Sequence, residues 1–211
     1  MELNEGKYKI SIAGKWYLED LYVFPRAYEQ VYFLIYSLLP HDDEMIQDRI
    51  QYAYSQFPWR GGYSAVNFYN NLKYTTPRKE RPQILSMQFA SPGWIELSLI
   101  IGVAVAVEIL VKAISSTIRE ANASYNEVYK GLQERKLLRI EVEKNELELE
   151  MRHADYIEHS AQKMASMLKL NELDQMHSKT GSSLKTLKIL LSLYRRVRTL
   201  VDYKKSGKIE L

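Results

Sequence analysis

The spacing of apolar residues changes along the chain and divides it into a head and a helical half. Residues 7–12 and 15–23 alternate between polar and apolar on either side of Ala-Gly at 13–14, which predicts a β-hairpin. Residues 83–90 alternate in the same way and predict a further strand. Apolar residues three and four positions apart predict three intervening helices, at 24–39, 42–57 and 63–74.

The most apolar stretch of the chain lies at 95–111, directly after Ser-Pro-Gly at 91–93. Ser91 is expected to cap a helix there and Pro92 to take its first position. A membrane-spanning helix needs about 20 apolar residues, and this segment is shorter and contains Glu108. The sequence therefore predicts a buried helix, with insertion into a membrane as an alternative.

The second half predicts one long charged helix over residues 120–177. Its apolar residues form a narrow stripe at steps of three and four: Leu147, Met151, Ala154, Ile157, Ala161, Met164 and Leu168. A stripe this narrow on a polar helix is typical of a coiled-coil seam. We therefore expect this seam to pack against another helix and to join copies of the chain.

A basic helix and tail follow at residues 178–211. One face of this helix is predicted to be basic and to lie opposite the apolar face. Its five cations are Lys185, Lys188, Arg195, Arg196 and Arg198. Three interpretations stay open for this face. It pairs with the acidic stretch at 141–150, it binds the phosphates of a nucleic acid, or it lies on an anionic membrane. The tail from 204 to 211 is polar and is expected to be frayed.

These elements predict an α+β head over residues 1–119, with a small antiparallel sheet and several helices. The coiled-coil-like helix at 120–177 and the basic helix at 178–211 complete the predicted organisation. The aromatic content agrees with this division, since all 3 tryptophans and all 5 phenylalanines precede residue 95.

The composition argues against several kinds of chemistry. The chain contains 0 cysteines, which excludes disulfides, thiolate metal sites and cysteine nucleophiles. His153 and His159 are too far apart on a helix to bind one metal together, and Asp42, Asp43 and Glu44 suit the first turn of a helix. We expect no enzyme activity and no cofactor or metal. The lack of cysteine and of an N-terminal signal pattern indicates a cytoplasmic protein.

Two loops carry candidate binding residues. Trp59, Arg60 and Tyr63 flank a Gly-Gly pair, and aromatic and arginine side chains are enriched in binding hot spots. The segment Thr-Gly-Ser-Ser-Leu-Lys at 180–185 presents the first amides of a helix beside a lysine. These amides could hold an anion, although a plain helix cap explains the same residues.

One motif resembles a known family. Ser91 and Pro92, followed by Ile95, Glu96 and Leu97 and then by an apolar helix, resemble small bacterial proteins of conflict and antiviral-defence systems. The head of those proteins is similar to the N-terminal domain of the metazoan adaptor TRADD. The resemblance implies an α+β head and an adaptor role, and it supplies no catalytic residue.

The sequence thus predicts a non-enzymatic interaction and oligomerisation protein that assembles through its long helices. Its expected partners are further copies of itself and another protein. The first alternative is a nucleic-acid-binding accessory protein that uses the basic C-terminal helix. The second is a membrane-acting effector that uses the apolar helix at 95–111.

Overall fold

A computed structural model of the chain shows an α+β fold, which confirms the predicted fold class. It describes residues 4–55, 61–90, 92–138, 148 and 150–211. The strands are β1 (Glu5–Ile12), β2 (Gln83–Gln88), β3 (Gly93–Ile100) and β4 (Ile209–Glu210). The helices are α1 (Asp20–Leu38), α2 (Glu44–Ser55), α3 (Gly61–Thr75), α4 (Ile101–Ser116), α5 (Ile118–Glu134), α6 (Ala154–Met167), α7 (Leu173–Thr180) and α8 (Ser183–Lys205).

The chain forms two compact units, each assembled from separate segments. The first unit contains Met1–Pro40, Leu72–Ser116 and Arg195–Leu211. The second contains His41–Asn71 and Thr117–Tyr194. Neither unit is a continuous stretch of sequence, so the order of elements along the chain does not reveal which ones pack together.

The sheet lies in the first unit, and its strand order is β2-β3-β1-β4 with every pair antiparallel. With α1 between β1 and β2, and α4 after β3, this is the order of the split β-α-β arrangement. The paired residues Ile10 and Ile95 are buried, whereas their neighbours Lys9 and Glu96 are not. One face of the sheet therefore packs on the core and the other faces solvent.

The core of the first unit lies between that sheet face and helices α1 and α4, which pack on each other. A buried tyrosine joins the layers: the Tyr32 hydroxyl accepts the Ile100 amide at 3.0 Å and donates to the Glu80 carbonyl at 2.7 Å. The C-terminal half of α1 is fully buried, from Val31 to Leu38. The sheet is thereby fixed on a rigid helical layer.

The second unit is helical, and its contacts include those of α2 with α7 and of α5 with α6. The Tyr156 hydroxyl donates to the Val128 carbonyl at 3.1 Å, which joins α6 to α5. A Cβ atom at Gly131 would lie only 1.9 Å from that hydroxyl. A larger residue at position 131 would therefore displace the Tyr156 ring from its place against α5.

The predicted hairpin is wrong in its second strand. β1 ends at Ile12 as expected, but it pairs with β3 and β4, and the segment 15–23 leads into α1. The alternating aromatics of this segment imitate a strand. The Asp20 carboxylate, however, accepts the Tyr17 amide at 2.7 Å, and this bond closes the turn that leads into α1, which begins at Asp20.

The predicted helix at 95–111 is also wrong in its first part. Residues up to Ile100 form β3, and α4 begins only at Ile101. Ile95, Leu97 and Leu99 are buried, whereas Trp94, Glu96 and Ser98 between them are partly exposed. A short apolar run does not distinguish a buried strand from a helix, and here the alternation decides for the strand. Pro92 is exposed in the turn before β3, and Ser91 lies outside the described residues.

The long coiled-coil-like helix expected at 120–177 is not shown. α5 ends at Glu134, and Lys136 has a positive φ of 59°. α6 ends at Met167, close to Lys169 with a φ of 51°. Left-handed backbone conformations end helices, so this part of the chain folds as helices of modest length.

The C-terminal tail is ordered by the sheet instead of frayed. Ile209 and Glu210 pair with β1 as strand β4, and Ile209 and Leu211 are buried. The Lys208 carbonyl also accepts the Ala13 amide at 3.0 Å. The tail therefore closes one edge of the sheet beside its first strand.

Candidate functional site

Exposed apolar side chains concentrate at one end of the first unit, in the segment after β1 and directly after β2. We call this group the aromatic end; it consists of the partly exposed Trp16 and the exposed Tyr17, Leu18, Leu21, Tyr22 and Phe89. Leu18 is 85% exposed, Tyr17 68% and Tyr22 60%. Isolated exposed apolar residues are ordinary, but contiguous ones mark interaction surfaces. The aromatic end is therefore the best candidate for a functional site.

The Trp16 ring anchors the aromatic end to the core. Its centroid lies 5.7 Å from that of Phe24, 5.8 Å from that of Tyr203 and 6.2 Å from that of Phe89. Its indole N–H donates to the Ala13 carbonyl at 3.2 Å. Edge-on aromatic contacts of this kind favour defined ring orientations, so the surface is held in shape before any partner binds.

A cleft opens beside these rings, with a volume of about 420 Å³. It is lined by Ile12, Ala13, Gly14, Trp16, Phe89 and Ala90. Gly14 has a positive φ of 72°, a conformation that glycine adopts without strain. The cleft is large enough for one or two apolar side chains, and its rings suit an apolar group.

The carboxylate of Asp20 joins the parts of this end. It accepts hydrogen bonds from the Tyr17 amide at 2.7 Å, the Tyr203 hydroxyl at 2.8 Å and the Lys208 ammonium at 2.7 Å. Burial alone would raise the pKa of Asp20, but these hydrogen bonds and the charge of Lys208 lower it below its usual value. The ionised carboxylate thus ties α1, α8 and the tail together beneath the exposed rings.

A second polar cluster in this unit is structural in character. The Tyr8 hydroxyl donates to Glu108 at 2.6 Å, and Lys112 donates to the same carboxylate. Lys112 and Tyr8 lower the pKa of Glu108, whereas burial and the bond to Glu108 raise the pKa of Tyr8. Both shifts move the pKa further from 7, so neither group is suited to general acid–base catalysis at that pH. The cluster explains how a carboxylate fits within an apolar helix.

The residues of the predicted seam have different environments. Ile157, Ala161, Met164 and Leu168 are at most 1% exposed, in a helix that contacts α5 and α7. Met151 is 66% exposed and Ala154 is also exposed. Leu147 lies outside the described residues. Four of the seven positions are thus covered by this chain alone, and assembly of copies through this seam stays a prediction.

The predicted basic face of α8 is uneven. Arg195 and Arg198 are exposed and Lys185 is partly exposed, whereas Lys188 is only 8% exposed. The Arg196 guanidinium donates to the Gln30 side chain at 2.6 Å. The apolar face is confirmed, since Leu190, Tyr194, Val197 and Val201 are all buried. Binding of phosphate or of an acidic partner by this face stays a prediction.

The predicted loop site at Trp59, Arg60 and Tyr63 cannot be placed in the same way. Trp59 and Arg60 lie outside the described residues, and only the helical backbone of Tyr63, in α3, is described.

The anion site suggested at 180–185 holds a carboxylate of the same chain. Glu150 accepts the Ser182 hydroxyl at 2.9 and 3.0 Å and the Leu184 amide at 3.1 Å. These donors belong to the first turn of α8, where the helix dipole favours a negative charge. Glu150 is the last residue of the acidic stretch at 141–150, and it contacts the amide and hydroxyl donors at the start of the basic helix.

Neither a metal site nor a membrane helix is found in the described part of the chain. Residues 4–55, 61–90, 92–138, 148 and 150–211 contain no group of three or more histidine and carboxylate side chains that could hold a metal ion. In the same residues no single helix is long and apolar enough to cross a membrane. Helices α4 and α5 pass that test only when counted as a pair broken at Thr117.

The fold and the aromatic end define an α+β protein with a preformed, partly apolar surface suited to binding. Comparisons with profiles of known families, with curated protein sequences and with solved structures found no match.

Sequence analysis missed the aromatic end because it assigned residues 15–23 to a strand. One signal was present in the pattern: Trp16, Tyr17, Leu18, Leu21 and Tyr22 place five large apolar side chains within seven residues. Neither a strand nor a helix could place all five of these side chains on one buried face.

Proposed function

We propose that the chain is a non-enzymatic interaction protein whose aromatic end binds a segment of another protein, so that it acts as an adaptor. The observation that carries this proposal is the exposure of Tyr17, Leu18 and Tyr22 in the segment that follows Trp16, whose ring lines the cleft. Aromatic side chains in a fixed arrangement lose little entropy on binding and dominate binding energies. The resemblance to bacterial defence proteins favours the same adaptor role.

The electrostatics of the site favour binding over catalysis. The Asp20 carboxylate accepts three hydrogen bonds, one of them from a lysine. A group that is held ionised by such partners is a poor proton donor or acceptor near pH 7. The cleft instead offers ring faces and backbone, which suit an inserted leucine or aromatic side chain of the partner.

The experiment is a peptide-library selection against the intact chain, followed by affinity measurements with the selected peptides. We expect peptides with one or two large apolar residues. Leu18→Asp should weaken their binding at least tenfold, since it puts a charge at the most exposed position of the site. Tyr74→Asp is the control, because Tyr74 is 70% exposed in the same unit but outside the aromatic end.

Equal loss of affinity in Leu18→Asp and Tyr74→Asp would contradict the proposal, since the site would then have no special role. Selection of no binding peptide would also count against it. Circular dichroism of both variants shows whether each one folds.

A further inference from the structure

The sheet of the first unit has an exposed edge that is not protected by charge. β2 is the outermost strand and pairs only with β3 among the strands of the described residues. Ile84 is 52% exposed and Leu85 is 44% exposed. Natural proteins commonly protect such edges with charged residues or proline, and the strand Gln-Ile-Leu-Ser-Met-Gln at 83–88 contains neither.

The residues of β2 match one another when two copies run antiparallel. If the strands meet at their centres, Gln83 lies opposite Gln88 of the second copy and Ile84 lies opposite Met87. At these four positions amides face amides and apolar groups face apolar groups, on either side of Leu85 and Ser86 at the centre. No charged residue lies on the strand to repel its own copy, so the edge is suited to pair with itself.

A β-bulge puts these pairs on the correct faces of the sheet. Gln83 pairs with Ser98 of β3 and Gln88 pairs with Trp94, so both glutamines share the solvent face. Ile84 pairs with Leu97 and Met87 with Ile95, so both apolar residues share the core face. In a regular strand, residues five positions apart point to opposite faces. The register shift between Ile84 and Ser86 removes that mismatch.

We propose that β2 pairs antiparallel with β2 of a second copy across a two-fold axis normal to the sheet, which makes one continuous eight-stranded sheet in a homodimer. This surface is separate from the residues tested at the aromatic end. Two-fold symmetric dimers are the commonest closed oligomers, and their interfaces are self-complementary. It buries the exposed side chain of Ile84 and satisfies the outward main-chain groups of the edge.

The first test is sedimentation velocity of the full chain over a wide range of concentration, for which we expect a reversible monomer–dimer equilibrium. Ile84→Lys should abolish the dimer. Ile109→Lys is the matched control, because Ile109 on α4 is 56% exposed, against 52% for Ile84, and receives the same change. Thermal unfolding at low concentration, where the chain is monomeric, checks that both variants fold.

The second test examines the register. In the double variant Gln83→Lys with Gln88→Lys, the lysine at 83 of each copy faces the lysine at 88 of the other. These two repulsive pairs should raise the dimer Kd by about tenfold. Gln83→Lys with Gln88→Glu puts opposite charges at the same places and should restore the wild-type Kd. A strictly monomeric chain at the highest concentration would overturn the proposal. So would a dimer that Ile84→Lys leaves unchanged, or failure of the charge-swapped variant to recover.

Discussion

At the scale of single residues, Asp20 decides whether the aromatic end keeps its shape. Asp20→Asn leaves the Lys208 ammonium, 2.7 Å away and largely buried, without its counter-charge. We expect the free energy of unfolding to fall by about 2 kcal/mol at pH 7, because an unpaired, poorly solvated charge is costly. Urea unfolding measures this loss. Asp202→Asn, at an exposed position of α8, should change stability by less than about 0.5 kcal/mol.

The same residue predicts how stability depends on pH. The pKa of Asp20 is lowered on folding, so its contribution is complete above the unfolded pKa of about 4. The contribution is lost as the pH falls through the lower, folded pKa. The difference in stability between wild type and Asp20→Asn should therefore shrink in acid. A difference that stayed constant from pH 7 to acid would contradict a role for the ionised carboxylate.

At the scale of elements, the start of α8 depends on Glu150. Glu150→Ala removes the acceptor of the Ser182 hydroxyl and of the Leu184 amide. We expect a loss of about 1 kcal/mol, which is typical of a helix cap, and faster hydrogen exchange at the Leu184 amide. Glu148→Ala is the matched control, because Glu148 is exposed two residues away. Equal effects in the two variants would show that general charge, and not the cap, is responsible.

Most elements of the fold could be predicted from the sequence, and the errors lie where the local pattern is ambiguous. β1, β2, α2, α3 and α8 lie close to their predicted bounds because their apolar periods are clear. The segments at 15–23 and 95–100 were assigned to the wrong type of element. In both segments, the spacing of aromatic and apolar residues fits a strand as well as a helix, and contacts with distant residues decide which element forms. For the first segment the contact is that of Asp20 with Lys208. For the second it is the pairing of β3 with β1 on one side and with β2 on the other.

At the scale of the whole molecule, pairing between distant segments could not be predicted. The sequence predicts an aromatic-rich α+β head at 1–119, and the first compact unit takes its third segment from Arg195–Leu211. Tyr203, Lys208 and Ile209 complete the Asp20 network and the sheet edge. No periodicity within one segment reveals a partner so far along the chain. Tyr203 also contacts the Trp16 ring of the aromatic end.

This arrangement makes a prediction about fragments. A chain of residues 1–119 lacks β4 and the end of α8, so Ile12 and Phe24 lose part of their cover. The expected result is a fragment without a cooperative thermal transition, measured by circular dichroism, whereas the full chain melts cooperatively. Adding residues 120–211 as a separate chain should restore the transition, because it supplies Tyr203 and Ile209. If the fragment melted cooperatively near the temperature of the full chain, the C-terminal segment would be an accessory to the first unit. Stability would then come from the sheet and helices of the N-terminal residues alone.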